Sequence, residues 1–273
     1  MNGRVYLIGA GPGSPDLLTV KATRLLQSAD VVLHDALVSP AILDLVSRQA
    51  HVVNIGKRCR QKLLTQKEIN SLLIHYAGRF PTVVRLKGGD PLLFGRAGEE
   101  MQALRTAGVP FEIVPGITSG LACAAAAGVT LTDRRIASQV LFTTAHREPG
   151  ESALDWAGLV GSGTTVVVYM PGREYVQVSA SLLDAGLNAR TPCVIASCAS
   201  LPTQQVKRTT LGSLGDEIGL PAPALLIVGW VADPAAALDN AAMWKQFANL
   251  VAPPLSRPVL GRRGGDVPEE NVF

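Results

Sequence analysis

Residues suited to ligand chemistry occur in five short segments, each of which directly follows an apolar, strand-like run. Glycine, lysine and aspartate dominate these segments. In an open parallel sheet, ligands bind outside the carboxyl ends of the strands, so the sequence predicts that all five line one cleft. Any one of them alone is equally compatible with a tight turn that binds nothing. The segments are residues 9–13, Asp35, residues 56–57, residues 87–90 and residues 115–118.

The first glycine-rich segment differs from a dinucleotide-binding loop. Its glycines are Gly9, Gly11 and Gly13, so the third stands one position too early for that fingerprint. Pro12 also occupies the turn in which backbone N–H groups would face a pyrophosphate. The sequence therefore argues against a nicotinamide cofactor.

Alternating strand-like and helix-like runs are expected to position the five segments. Helix-start signals separate the apolar runs: Ser14 with Pro15, Ser39 with Pro40, and a capping box of Thr65 and Glu68. This alternation predicts a parallel sheet with right-handed crossovers and helices on its faces. The predicted strands are residues 4–8, 31–34, 51–55, 82–86 and 111–114, and the predicted helices are residues 14–27, a segment from 40, 65–77 and 97–107.

The second half of the chain predicts a mixed sheet. A small-residue helix is expected at residues 119–127 and another helix at 175–185. The more polar, alternating segment 204–210 is typical of an edge or antiparallel strand. Apolar strands are predicted at residues 139–143, 164–169, 192–196 and 224–228.

These patterns predict an α/β fold with two domains, for which a chain of 273 residues is long enough. Residues 1–116 would form the parallel α/β domain and residues 117–248 the mixed-sheet α/β domain, which ends in a helix at about 235–247. Residues 249–273 are rich in proline, glycine and charge, so we expect a disordered tail there.

Composition narrows the classes of partner. A net charge of +3 and only 5% aromatic residues argue against a nucleic-acid surface and favour a compact anionic ligand. The four cysteines and four histidines show no ligand spacing, so no metal site is expected. Apolar runs are too short to span a bilayer, and no secretory leader is apparent. A cytoplasmic protein that neither binds nor crosses a membrane is expected.

Several motifs together resemble the uroporphyrinogen-III C-methyltransferases of the tetrapyrrole methylase superfamily. The resemblance covers about residues 4–232. The first glycine loop is shared by the whole superfamily, whereas Gly56-Lys57-Arg58 and the run from residue 84 to 100 are more specific. The motifs are VYLIGAGPGSPDLLT at residues 5–19, DALVS at 35–39, VRLKGGDP at 84–91, FGR at 94–96, EE at 99–100 and VPGITS at 114–119.

The resemblance implies a fold in which S-adenosylmethionine lies in a cleft between two α/β domains, usually within a homodimer. It also implies two C-methylations of uroporphyrinogen III, giving precorrin-2 for sirohaem and corrinoid synthesis, with S-adenosylhomocysteine as the other product. For Met170, a core position is the alternative. The cofactor-binding positions carried over are Pro12, Gly88, Gly89, Asp90, Leu93, Thr118, Ser119, Met170 and Ala199.

Asp35 and Lys57 match the family's acid–base pair. Methyl transfer to a pyrrole carbon leaves a cation, and a proton must then depart from the ring, which suits a carboxylate base. The alternatives are a capping role for Asp35 near Ser39 and a solvated surface charge for Lys57.

The eight carboxylates of uroporphyrinogen call for cations in its pocket. Arg96 and Arg134 stand in the family's substrate-side motifs, together with Glu99, whose alternative role is a partner of the helix dipole. A basic cluster at residues 57–62 could contribute or could simply be solvated. The sequence departs from the family's pattern at His34, Asp133, Ala199 and Trp230.

The sequence leaves three other functions open. A methyltransferase for a later corrin precursor or for diphthine would share the first loop but diverge between residues 88 and 100. A nicotinamide oxidoreductase is the alternative of another class. A non-catalytic tetrapyrrole-binding protein would not need the Asp35 and Lys57 positions filled.

Overall fold

The computed structural model describes residues 3–56, 64–145, 156, 158–161, 163–217, 219–233 and 235. By its internal contacts the chain forms two units, Met1–Pro234 and Ala235–Phe273. All the elements described below belong to the first unit. The predicted helix at 235–247 and the predicted tail lie outside the described residues, apart from Ala235.

Five parallel strands form the first sheet, in the order β3-β2-β4-β1-β5. The predicted parallel sheet is thereby confirmed, and each strand agrees with its predicted bounds to within one residue. The strands are β1 (Arg4–Gly9), β2 (Val31–His34), β3 (His51–Asn54), β4 (Thr82–Lys87) and β5 (Phe111–Val114).

Helices cover both faces of this sheet: α1 (Val20–Gln27) and α2 (Pro40–Leu43) on one face, α3 (Gln66–Ala77) and α4 (Ala97–Thr106) on the other. Val84 and Leu86 of β4 pack with α1 and α2, whereas Val83 packs with α3 and α4. Because side chains alternate along a strand, Arg85 and Lys87 share the face of Val83.

The predicted single helix over residues 14–27 is wrong. Pro15–Leu17 forms only a 3-10 turn, and α1 begins separately at Val20. The hydroxyl of Thr19 accepts a hydrogen bond from the Ala22 N–H and provides the cap that the prediction assigned to Ser14. Ser14 instead donates its backbone N–H to the Ser200 hydroxyl. The predicted capping box of Thr65 and Glu68 is confirmed.

The second sheet is mixed, as predicted, with the order β6-β7-β10-β8-β9. Only β6 and β7 are parallel, and β9 is an antiparallel edge strand. One face packs against α5 (Ser119–Ala127) and the other against α6 (Tyr175–Asp184). The strands are β6 (Gln139–Thr144), β7 (Thr164–Tyr169), β8 (Pro192–Ser197), β9 (Gln205–Thr210) and β10 (Ala224–Val228).

The two sheets correspond to the two predicted α/β domains, but the domain boundary after residue 116 stays a prediction. Within the described part of the chain, no helix is both long and apolar enough to span a membrane.

Candidate functional site

The glycine-rich loops after β1 and β4 are bonded to each other. Gly11 donates its N–H to the Gly89 carbonyl at 3.1 Å, and Gly89 donates to the Gly11 carbonyl at 2.8 Å. The Ala10 N–H is likewise taken by the Lys87 carbonyl. Gly11 and Gly89 both have a φ near +68°, which favours glycine. These loop donors are engaged within the protein, which agrees with the argument against a dinucleotide-binding loop.

A third loop closes against the first two. A Cβ atom added to Gly9 would lie 2.6 Å from Gly116 after β5, so neither position has room for a side chain. The Asp90 carboxylate holds this junction, because Oδ2 accepts the Gly116 N–H at 3.0 Å and Oδ1 accepts the Leu92 N–H at 2.8 Å. Three of the five predicted segments therefore meet at the carboxyl edge of the sheet.

A cavity of about 560 Å³ opens at this junction and extends to loops of the second sheet. Its wall is mainly apolar, and its polar side chains are Asp90, Thr118, Ser119 and Tyr169. This composition is typical of a small-molecule site. The lining residues are Gly11, Pro12, Leu37, Gly88, Gly89, Asp90, Leu93, Phe94, Thr118, Ser119, Tyr169, Met170, Gly172, Leu220, Ala222, Pro223, Ala224 and Leu225.

The structure brings together all but one of the residues proposed to bind the cofactor. Ala199 is the exception: it is buried in the apolar cluster beside α5 and does not line the cavity. Met170 is 48% exposed and has a φ of +50°, so the alternative of an ordinary core methionine is wrong. Leu37, Phe94 and Tyr169 also line the cavity, although the sequence had assigned them no role.

The chemistry of this wall fits an adenosyl sulfonium cofactor. Leu37, Phe94 and Met170 offer apolar surface, and each is at least 40% exposed. The Asp90 carboxylate has acceptor capacity beyond its two backbone bonds, as ribose hydroxyls require. Gly88 and Leu37 are neighbours in this wall, because a Cβ atom on Gly88 would lie 3.5 Å from the Leu37 Cβ.

Tyr169 joins the end of β7 to the N-terminus of α5. Its hydroxyl accepts the Gly120 N–H at 2.9 Å and is hydrogen-bonded to the Thr118 hydroxyl. Burial raises the pKa of this phenol, outweighing the opposing effect of both bonds. The ring lies against Phe94, with 4.9 Å between the ring centroids. A Cβ on Gly120 would lie 2.6 Å from the phenol oxygen, which explains glycine in this small-residue helix.

Replacing Tyr169 with phenylalanine is expected to weaken S-adenosylhomocysteine binding roughly 5-fold, the equivalent of about 1 kcal/mol for lost hydrogen bonds. The Thr118 hydroxyl and the Gly120 N–H would lose the partner that orients them. Isothermal titration calorimetry measures this change. Tyr175→Phe is the matched control, because the Tyr175 hydroxyl is buried without a hydrogen-bond partner in the described part of the chain. Equal affinities for the two variants would contradict the assignment.

Asp35 lies at the carboxyl end of β2, and its side chain is one-third exposed. Its Oδ1 atom accepts a hydrogen bond from Nη2 of Arg85 at 2.5 Å. The predicted alternative, a cap near Ser39, is not observed: the carboxylate bonds to Arg85, and the Ser39 hydroxyl donates to the Gly13 carbonyl. Lys57 and the basic cluster at 57–62 lie outside the described residues.

Arg85 is part of a buried network of ion pairs for which the sequence motifs predict no role. Its Nε donates to Oε1 of Glu100 at 2.9 Å, and Nζ of Lys87 lies 3.0 Å from the same oxygen. Burial opposes the charge of Arg85, but Asp35 and Glu100 outweigh it and its pKa is raised. Burial and the neighbouring Arg85 lower the pKa of Lys87 despite Glu100. The sequence signal that could have revealed this network was the presence of two basic residues, Arg85 and Lys87, within the otherwise apolar β4.

The predicted substrate-binding residues lie outside the cavity lining. Arg96 follows Phe94 and forms a two-point ion pair with Glu99, with N–O distances of 2.6 and 3.0 Å. Both side chains are half-exposed. Arg134 is exposed, and its neighbour Asp133 pairs with Arg135, whose hydrogen bonds lower the pKa of Asp133 to about 2.

Among the described residues, no group of three or more histidine, cysteine or acidic side chains is arranged to hold a metal. Cys123 and Cys193 are buried free thiols, and burial raises the pKa of Cys123 to about 12. Two departures from the family's pattern are also buried. His34 has Nδ1 2.9 Å from the Asp35 carbonyl, and Trp230 packs inside the protein.

The family model for the tetrapyrrole (corrin/porphyrin) methylases matches residues 4–215. The chain belongs to the tetrapyrrole methylase family. The resemblance stated from the sequence motifs is thereby confirmed, together with the fold and the methyltransferase class. The match ends before β10, which completes the second sheet of this tetrapyrrole methylase.

Solved tetrapyrrole methylases share the fold. The uroporphyrin-III C-methyltransferase of Thermus thermophilus, in complex with S-adenyl homocysteine, is 39% identical, with a TM-score of 0.74 and coverage of 85% of this chain and 94% of that one. A cobalt precorrin-4 methyltransferase of cobalamin biosynthesis is 33% identical, with a TM-score of 0.76 and coverage of 85% and 96%. The expectation that S-adenosylmethionine is the cofactor agrees with the Thermus complex, which contains S-adenyl homocysteine.

Curated relatives of this tetrapyrrole methylase are longer proteins. A siroheme synthase from Azotobacter vinelandii is 47% identical over 232 residues, which cover 84% of this chain and 50% of that protein. A siroheme synthase from Psychrobacter is also 47% identical, over 84% of this chain and 48% of that protein. The chain therefore spans about half the length of these relatives.

Proposed function

We propose that this protein transfers methyl groups from S-adenosylmethionine to two ring carbons of uroporphyrinogen III and so produces precorrin-2. The observation that carries the proposal is the cavity between the glycine loops and the second sheet, whose wall fits the cofactor. The substrate is proposed from the specific motifs between residues 84 and 100 and from similarity to the Thermus enzyme.

The cofactor supplies an electrophilic methyl group on a positively charged sulfur. The paired glycine loops and Asp90 hold the cavity open, and Phe94 and Met170 keep part of its wall apolar. A pyrrole carbon would bond to the methyl group as the carbon–sulfur bond of the cofactor breaks. The electron pair of that broken bond would remain on sulfur. The methylated ring is then cationic.

Proton removal completes each methylation and is assigned to Asp35. The carboxylate is one-third exposed at the carboxyl edge of the first sheet, where the cavity also opens. Its Oδ1 atom accepts the hydrogen bond from Arg85, and Oδ2 is proposed to accept the proton. Lys57 remains the proposed acid partner from the resemblance.

Arg96 and Arg134 are proposed to bind substrate carboxylates. Arg96 lies two residues after Phe94, which lines the cavity. Its guanidinium forms a two-point ion pair with the carboxylate of Glu99. This pair demonstrates the geometry in which a guanidinium recognises a carboxylate. Glu99 is proposed to remain at the substrate side as its orienting partner.

Arg96→Ala is expected to weaken substrate binding about 10- to 150-fold, which corresponds to about 1.5–3 kcal/mol for a charge-assisted contact. S-adenosylhomocysteine affinity should stay unchanged, because Arg96 does not line the cofactor cavity. Substrate KM and calorimetric binding of the cofactor product measure the two effects. Arg79→Ala, an exposed arginine paired with His75 on α3, is the control. Loss of cofactor binding with normal substrate affinity would refute the assignment.

An anaerobic assay with S-adenosylmethionine and uroporphyrinogen III tests the proposed function directly. Mass spectrometry should find products heavier by one and then two methyl groups, and S-adenosylhomocysteine should raise the melting temperature. NADH, offered in parallel, should not. A cobalt-precorrin-4 arm tests the reaction named for the second solved relative. Methylation in that arm alone, or no methylated product in either, would refute the substrate assignment.

The activity proposed here is limited to methylation, because the siroheme synthase relatives contain about as much chain again. A homodimer and a cytoplasmic location belong to the same proposal and are supported by the family resemblance. Light scattering during size-exclusion chromatography, which should give twice the chain mass, tests the dimer.

A further inference from the structure

Four charged side chains form a connected, electrically balanced group: Asp35, Arg85, Glu100 and Lys87. Arg85 and Lys87 project from the same face of β4, and Glu100 projects from α4 towards them. Glu100 is 0% exposed, and the two basic side chains are 3% exposed. Buried charges are costly unless they are paired, so a group of this kind calls for a function.

We propose that Arg85, held in place by Glu100, is a positioning residue that fixes the orientation of the Asp35 carboxylate. Lys87 supplies the second positive charge that balances Glu100. The proposal rests on the base role proposed for Asp35 and adds to it the buried residues that would control this base.

The bonds of Arg85 point in three directions and leave its guanidinium little freedom. Nε donates to Glu100 at 2.9 Å, Nη1 to the Leu86 carbonyl at 3.2 Å and Nη2 to Asp35 at 2.5 Å. A planar guanidinium bonded on three sides within the protein cannot turn without breaking a bond. The position of Oδ1 of Asp35 is therefore set from inside the sheet, and Oδ2 is directed by the rigid carboxylate plane.

Glu100 is itself anchored. Its carboxylate accepts bonds from both Arg85 and Lys87, and Gln66 of α3 donates to Oε1 at 3.4 Å. Lys87 supports the loop that lines the cavity, because a Cβ on Gly95 would lie 3.1 Å from the Lys87 Cε. The network thus joins the base to the loop that bears Phe94 and Arg96.

Two substitutions of Arg85 separate its bonding geometry from its charge. Arg85→Gln removes the guanidinium that bonds to both Asp35 and Glu100. Arg85→Lys keeps a positive charge that can still donate to Asp35, but an ammonium group cannot bond in the three fixed directions of the guanidinium. If Arg85 orients Asp35, the glutamine variant should lose more methylation activity than the lysine variant.

The test is the methylation assay on the full-length protein, with kcat and KM measured separately. Arg85→Gln should lower kcat about 10- to 100-fold, the usual cost of a misplaced catalytic group, and Arg85→Lys should recover part of this loss. The affinity for S-adenosylhomocysteine should stay within a few-fold in both variants. Arg79→Gln, which removes a distant arginine, should leave kcat unchanged.

If Arg85→Gln alone does not fold, the double variant Arg85→Gln/Glu100→Gln replaces it, because this variant removes one charge of each sign. It too should lower kcat, because the guanidinium that orients Asp35 is gone. In an Asp35→Asn background, Arg85→Gln should cause little further loss of kcat, because Arg85 acts through Asp35.

A wild-type kcat in both Arg85→Gln and the double variant would overturn the proposal. So would a loss of kcat in Arg85→Gln that adds in full to the loss in Asp35→Asn. All variants are compared on the tetrapyrrole that the wild-type protein methylates, so methylation of a tetrapyrrole other than uroporphyrinogen III would refute the proposed substrate and leave the role of Arg85 standing.

Discussion

Asp35→Asn is expected to lower the rate of tetrapyrrole methylation about 100- to 10,000-fold, the usual cost of losing a general base. Asparagine keeps the size of the side chain and can still accept a hydrogen bond from Arg85, but it cannot take a proton. Binding of S-adenosylhomocysteine should stay within a few-fold, because Asp35 does not line the cofactor cavity. Single-turnover kinetics with both substrates saturating measures the loss.

Asp44→Asn is the matched control for this prediction. Asp44 is an exposed aspartate at the C-terminus of α2, and its replacement should leave the rate unchanged. Near-normal turnover in Asp35→Asn would show that Asp35 only positions other groups. The base would then have to be a substrate carboxylate, water or Glu99.

Glu100→Ala is expected to lower the free energy of unfolding by about 3–5 kcal/mol, because it leaves buried cations without their shared counter-ion. Arg85 and Lys87 would then repel each other in a region with little access to water. Urea unfolding followed by circular dichroism measures the loss. Glu99→Ala, next to it on the same helix, is the control: Glu99 is half-exposed, so its ion pair should contribute about 0–1 kcal/mol.

The Glu100→Ala deficit should shrink as the pH rises. The folded protein already lowers the pKa of Lys87 through burial and Arg85, and loss of Glu100 removes an opposing influence. Between the folded and the unfolded pKa of Lys87, the unfolded chain binds more protons, so stability increases with pH. A deficit that is equal for the two variants, or that grows with pH, would contradict a buried role for this charge.

Local signals in the sequence were sufficient for most secondary-structure elements. The β-branched runs at Val31–His34 and Phe111–Val114 form strands with the predicted bounds. The capping box at Thr65 works as predicted, since both of its bonds are local. The single helix predicted over residues 14–27 is interrupted because Leu18 and Thr19 have extended backbone conformations, and Thr19 then caps α1.

The cavity was predictable in its main part because strand order places the carboxyl ends of parallel strands at one edge. The sequence did not predict that Tyr169 and Phe94 line the cavity. Their rings are brought together by a contact between the end of β7 in the second sheet and the loop after β4 in the first. Ala199 was carried over by family position, but its place in the apolar cluster depends on how the loop after β8 packs.

The sequence by itself determined the alternation of strands and helices, the glycine loops at the strand ends and the membership of the tetrapyrrole methylase family, because each depends on residues close together in the chain. Tertiary structure alone decided which charges meet. Arg85 is paired with Asp35, fifty positions away, and with Glu100 on another element. Such pairs arise only when the strand order and the packing of α4 on the sheet are set, since a buried charge must find its partner across the core.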